Sequence, residues 1–289
     1  MDHEHCQLVR AETSDGLRLD GTFHPAGQTS LPVDAFLLLH GAGSNFYAPG
    51  VLERFSQQAA RGGAAVLRVN TRGHDGMSHI PGRPRSAKGG ATYESVADCR
   101  LDVRAWIEFL EERGLSRVAL VGHSLGGVKA IYAQGHDQHP QVVAVIGISP
   151  PRFCHARLSQ GLRGEVFQKE FARMSALVAQ GQPQALEQVT QPMSFVATAA
   201  GYLEKYGTED RYDYLKPLRE ISCPVLILIG GQSAAGSAAF AGIPEELASQ
   251  QFPGHISCQV IPDADINYSA CPLEPFERTA AWLAAVAGG

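Results

Sequence analysis

The sequence predicts an α/β fold: a mostly parallel sheet of about eight strands, helices on both faces, and a helical cap inserted late in the chain. Three observations predict it. Short continuous apolar runs, such as Ala35–Leu39 and Val142–Ile148, are what strands buried on both faces look like. They alternate with amphipathic stretches, the clearest carrying Val96, Cys99, Val103, Ile107 and Leu110 at spacings of three or four. Over residues 152–217 the alternation stops, leaving helical segments and no convincing strand.

Taken in order, residues 8–13 and 17–23 flank Ser14-Asp15-Gly16 and read as a hairpin. Ala35–Leu39 is the first buried strand, followed by a helix over Val51–Arg61 closed by Gly62-Gly63 and a strand over 64–69. Residues 70–90 are polar and rich in Gly and Pro, and read as a loop. The amphipathic helix ends at Gly114. A strand over 118–121 enters Gly122-His123-Ser124-Leu125-Gly126, and a helix leaves it. Val142–Ile148 is stopped by Pro150-Pro151. Helices are expected near 165–180 and 194–206, then a strand at 225–229, a helix at 245–251, a strand at 259–261 and a last helix at 273–286. Residues 1–151 and 218–289 are thus expected to form the core domain and 152–217 the cap. Alternating strands and helices imply right-handed crossovers.

Composition narrows the function. A chain of 289 residues with 44% hydrophobic content suits one large domain carrying an insertion. A formal charge of −5 with no long Lys/Arg run argues against nucleic acid or an anionic membrane as partner. No apolar run is long enough to span a bilayer, and the polar start Met1-Asp2-His3-Glu4-His5 has no signal-peptide core behind it. The six cysteines are scattered without a C-x-x-C pair and read as reduced thiols, so a cytoplasmic setting is expected. His3, His5 and Cys6 carry metal-ligand chemistry, but a solvated terminus accounts for them; neither metal nor cofactor is expected.

The chemistry centres on Gly122-His123-Ser124-Leu125-Gly126. This is the G-x-S-x-G pattern in which a serine sits on a sharp strand-to-helix turn with its hydroxyl exposed. Three further stretches follow expected strands: His40-Gly41-Ala42-Gly43, Asn70-Thr71-Arg72-Gly73-His74-Asp75, and Pro224-Val225-Leu226-Ile227-Leu228-Ile229-Gly230. With the elbow, their order resembles the α/β-hydrolase family along nearly the whole chain. The resemblance implies a serine nucleophile at Ser124, an oxyanion hole from the backbone N–H groups of Ala42 and Leu125, and a small-molecule carbonyl substrate. It also implies an acid after the late strand and a histidine after the last. Here the acid position reads Ser233, with no carboxylate between Gly230 and Glu245. The histidine position reads Ile266, within Asp263-Ala264-Asp265-Ile266.

A serine alcohol must pass its proton to a base, and isoleucine cannot accept one. Other groups therefore come into question. His74, with Asp75 beside it, is placed near the pocket mouth, and Gly41 and His123 beside the serine. Asp265 could serve as a base if burial raised its pKa. His155 opens the cap, His40 has a structural place in its loop, and Lys129 reads as solvated. Each also has a purely structural explanation. Phe167, Phe171, Met174, Phe195, Tyr202 and Tyr206 either line a pocket over Ser124 or form the cap's own core. Two classes of function stay open: an acyl-cleaving enzyme with a rewired base, and a ligand-binding, lyase or cyclase protein on a hydrolase scaffold.

Overall fold

Alternation of buried side chains along each strand divides the interior into two apolar layers, one on each side of a single large sheet. The computed structural model describes residues 6–249, 252 and 254–287. His3 and His5 lie outside the described residues, as does the end of the helix expected at 245–251. In chain order the elements are β1 (Gln7–Glu12), β2 (Arg18–His24), β3 (Ala35–Leu39), α1 (Val51–Arg61), β4 (Ala65–Val69), β5 (Ser78–Ile80) and β6 (Ala87–Gly89). A single turn over Val96–Asp98 leads into α2 (Cys99–Glu111), then β7 (Val118–His123), α3 (Leu125–Asp137) and β8 (Val142–Ile148). Next come α4 (His155–Gln160), α5 (Gly164–Ala179), β9 (Leu186–Val189), β10 (Phe195–Thr198), α6 (Ala199–Tyr206) and α7 (Leu215–Leu218). The chain closes with β11 (Val225–Gly230), α8 (Gly231–Gly236), α9 (Ile243–Ser249), β12 (Ile256–Ile261) and α10 (Glu274–Ala287).

Eight strands form the main sheet in the order β1-β2-β4-β3-β7-β8-β11-β12. β2 runs antiparallel to both β1 and β4, and every pair from β4 to β12 is parallel. Phe36 and Leu38 of β3 enter the layer shared with Val51 and Phe55 of α1 and Trp282 and Leu283 of α10. Leu37 and Leu39 enter the opposite layer, with Val103 and Trp106 of α2 and Val128 and Ile131 of α3. Each such side chain adds about 1.5–3 kcal/mol on burial, so a strand buried on both faces is fixed in register by its whole length. The parallel strands all point their carboxyl ends the same way, which gathers the loops after β3, β4, β7 and β12 at one edge.

Two stretches depart from expectation. The loop over 70–90 contains the β5–β6 hairpin. The stretch between β8 and β11 contains a second hairpin, β9–β10, so strands occur where none was expected. The helix expected from 194 starts only at Ala199, because Thr198 caps it: its Oγ1 accepts from the Gly201 N–H at 3.1 Å. Strands of three or four residues are too short to display a period, and partners distant in sequence hold them; Thr92 Oγ1 donates to the Val196 carbonyl at 2.7 Å. No described helix is long and apolar enough to cross a membrane, and all six cysteines are free thiols.

Candidate active site

β7 ends in a turn that only its sequence allows. Ser124 adopts φ 53° and ψ −124°, a region that strains any residue with a side chain. The flanking glycines are required by close approach. A Cβ on Gly122 would stand 2.0 Å from the Gly126 carbonyl oxygen, and one on Gly126 would stand 2.1 Å from that of Leu39. The strain lifts Ser124 out of the helix that follows. Among the described residues its hydroxyl makes no hydrogen bond.

Ser124 lines a cavity of about 240 Å³ with Gly41, Ala42, His123, Met193, Ile266 and Asn267 among its walls. Gly41 approaches closely: a Cβ there would lie 3.2 Å from Ser124 Cβ and 3.7 Å from its Oγ. Leu125 is the first residue of α3, so its N–H precedes the helix's own hydrogen bonds. The fold therefore brings Gly41, Ala42, His123, Ser124, Leu125 and Ile266 together.

It does not bring the remaining candidates. His74 lines a separate hollow of about 600 Å³ with Phe46, Tyr47 and Asn70. Its Nδ1 bonds Asp75 at 2.8 Å, and Asp75 also accepts from Asn45 Nδ2 at 2.7 Å. Asp265 is spent on its own turn: Oδ1 accepts from the N–H groups of Ser269 (2.8 Å) and Asn267 (3.1 Å), and Oδ2 from the Ser269 hydroxyl (2.9 Å). These donors, the Ser269 backbone foremost, hold its pKa below the ordinary carboxylate value, the reverse of what a base at this position would need. Ser233 lies in α8, outside the walls of the Ser124 cavity. His155 donates from Nδ1 to the Tyr206 carbonyl (2.9 Å) and sits between Phe167 and Phe171.

The loop carrying Ile266 is nevertheless well built. His123 Nε2 donates to the Ile266 carbonyl at 2.8 Å, Arg54 to the Asn267 carbonyl at 3.1 Å, and Gln232 to the Asp263 carbonyl at 3.0 Å. Donation from Nε2 leaves Nδ1 as the lone-pair nitrogen of His123. Burial lowers the pKa of this imidazole despite the opposing carbonyl, so it is neutral.

On the other side of Ser124 lies a network that sequence reasoning missed. Lys129, expected to be solvated, is 1% exposed. Its Nζ donates to Glu94 (2.6 Å) and to Thr71 Oγ1 (3.0 Å). Lys205 of α6 approaches the other oxygen of Glu94 at 3.5 Å. The Thr71 N–H donates to His40 Nε2 (3.1 Å), and His40 Nδ1 donates to the Gly41 carbonyl (2.8 Å). The chain of contacts thus links the elbow helix to the loop that faces Ser124. Burial alone would raise the Glu94 pKa, but Lys129 and Lys205 outweigh it and hold it at about 2. Burial, aided by Lys129, lowers His40 to about 3, so it is neutral. A lone lysine in the otherwise apolar run Val128-Lys129-Ala130-Ile131 was the available signal. Arg72 has a structural role too, bonding the fully buried Asp102 through Nε at 3.0 Å and Asp15 through Nη1 at 3.0 Å.

Of the aromatic residues between β8 and β11, Phe167, Tyr202 and Tyr206 belong to the main apolar layer with Met174, and none lines the Ser124 cavity.

The model of the alpha/beta hydrolase family matches residues 36–282, and the chain belongs to that family. No curated protein matches it in sequence. Among solved structures, it is similar to an esterase of Pyrococcus furiosus, with 18% identity, 97% of this chain and 91% of that chain covered, and a TM-score of 0.67. It is similar to Est1E of Butyrivibrio proteoclasticus, solved with ferulic acid bound, at 13% identity, 97% and 100% coverage and a TM-score of 0.67. An α/β hydrolase of a Penicillium species, GrgF, matches at 15% identity, 96% and 99% coverage and a TM-score of 0.65. At these identities the likeness establishes the fold.

Proposed function

We propose that the Ser124 cavity takes an ester, thioester or amide and that Ser124 attacks its carbonyl without a Ser-His-Asp triad. The observation that carries this reading is a strained, unbonded serine hydroxyl opening on a cavity walled by Ile266, the position to which the family resemblance assigns a histidine. The N–H groups of Ala42 and Leu125 serve as the oxyanion donors; backbone donors do not depend on side-chain identity. No described side chain bonds the Ser124 hydroxyl, so in this reading its proton passes to water. Serine proteases stripped of triad members keep a residual about 10³–10⁴-fold over water from the oxyanion hole and binding, and slow turnover of that order is expected here.

Residues 152–217 act in this reading as the cap over the cavity, with Met193 as their contribution to its wall. The ligand is a small carbonyl compound, and the free thiols suit a cytoplasmic setting. The missing base also favours a second reading, a ligand-binding, lyase or cyclase function that uses the oxyanion donors alone. Reaction with a fluorophosphonate probe, followed by mass spectrometry, separates the two. Slow labelling at Ser124 that is absent in Ser124→Ala supports acyl transfer. A wild-type protein that never labels leaves the second reading.

A further inference from the structure

Next to the Ser124 cavity lies a larger one, of about 380 Å³, between α4, α5, the 190–194 loop and the end of α8. Met193 lines both, so the two adjoin across one flexible thioether. Together they are large enough for an extended small molecule, since ligand sites run from about 300 to 1,000 Å³.

The donors and acceptors of the second cavity are unbalanced. Among the described residues its one charged side chain is Arg163, an exposed residue whose guanidinium has no bonding partner there. Ser194 Oγ accepts from Gln188 Nε2 at 3.2 Å, and Ser237 Oγ accepts from the Ala239 N–H at 3.3 Å, so each hydroxyl keeps its own hydrogen to donate. Thr190 Oγ1 is already committed to Glu170 at 2.9 Å. Glu170 does not line the cavity; the N–H groups of Thr190 and Gln191 occupy it at 2.8 and 3.0 Å, and so hold the loop in place. Among the described residues neither cavity has an Asp or Glu in its wall, in a chain whose formal charge is −5. Leu158 and Phe167 supply apolar surface between the polar groups.

We propose that this second cavity is a subsite for a terminal carboxylate, so that the substrate is an acyl compound with its reactive carbonyl at Ser124 and a carboxylate at Arg163. The guanidinium fork matches a carboxylate bidentately, and the Ser194 and Ser237 hydroxyls add donors to it. A hydrocarbon spacer would cross Met193. This inference rests on the reading of Ser124 as a carbonyl site, and binding to an inert variant tests it apart from catalysis.

The experiment is calorimetric titration of Ser124→Ala with monomethyl esters of dicarboxylic acids from glutaric to sebacic, each against its dimethyl ester. At one spacer length the monoester should bind about two- to fivefold more tightly than the dimethyl ester, the scale of an exposed ion pair. The preference should vanish in Ser124→Ala/Arg163→Gln and return in part in Ser124→Ala/Arg163→Lys. Equal binding of the two esters at every length overturns the proposal. So does a preference that survives Arg163→Gln, or no binding by either ester. Failure of the fluorophosphonate probe to label wild type would remove the acyl-transfer reading and leave these binding results standing.

Discussion

The two sides of Ser124 are built differently. On the side of the 40–43 loop, Lys129, Glu94, Lys205, Thr71 and His40 form a buried polar chain that ends on the Gly41 carbonyl. On the side of the 263–269 loop the backbone is held by His123, Arg54, Gln232 and the Asp265 turn, and the cavity wall there is Ile266, a side chain that cannot take a proton. Order and chemistry are therefore separable: the 263–269 loop is held by its own hydrogen bonds while it presents hydrocarbon to the cavity. The electrostatics follow the same division. Charges beside the 40–43 loop are buried, two lysines sharing the one carboxylate of Glu94, whereas the carboxylate of Asp265 is near solvent and held by local donors of its own turn.

The largest effect should come from breaking the buried chain. Glu94→Gln leaves Lys129 and Lys205 without their carboxylate, and removing one partner of a buried pair costs about 3–5 kcal/mol. Urea unfolding at pH 7 measures this. The variant should also lose the acid limb that Glu94 provides: its pKa is depressed to about 2, so its stabilisation is present above the ordinary value of 4.5 and fades as pH falls towards 2. A loss under about 1 kcal/mol would mean the two sides are held by packing alone.

His40 gives the next effect. It is kept neutral in the fold, with its pKa lowered from 6.5 to about 3. Between those values the unfolded chain binds the extra proton, so stability rises with pH there and falls on acidification. Between pH 6.5 and 4.5 the wild type should lose about 2–3 kcal/mol that His40→Asn does not, at about 1.4 kcal/mol per pH unit. Parallel stability curves for the two proteins would show that His40 is not the group responsible.

Rebuilding the other side sharpens the comparison through rate. Ile266→His alone should help little, because an imidazole without an anchoring carboxylate lacks a fixed tautomer. With Ser233→Asp added, kcat/KM on a p-nitrophenyl ester should rise by about 10²-fold, more than the two single changes multiplied. Fast wild-type turnover abolished by Ser124→Ala would instead reveal a base already in place. The smallest effect is expected at Asp265→Asn: under about 1 kcal/mol of stability from weakened turn bonds, and an unchanged rate. A marked rate loss there would make Asp265 part of the chemistry.

The sequence by itself determined the fold, because strands buried on both faces have an unambiguous apolar signature and the glycines of the elbow report a steric demand. It also shows that Ile266 cannot hold a proton, since the identity of a side chain sets that whatever surrounds it. The tertiary structure alone decided the rest. Lys129 reads as a surface lysine until Glu94 and Thr71, distant in the chain, close over it. His74 follows a strand as Ser124 does, yet opens on a different hollow. The β9–β10 hairpin is too short to carry a period and exists through its pairing. Asp265 has the chemistry of a base, but three local donors settle its charge. In each case a contact between residues far apart in sequence, or the closure of a loop on itself, fixes an environment that no local pattern encodes.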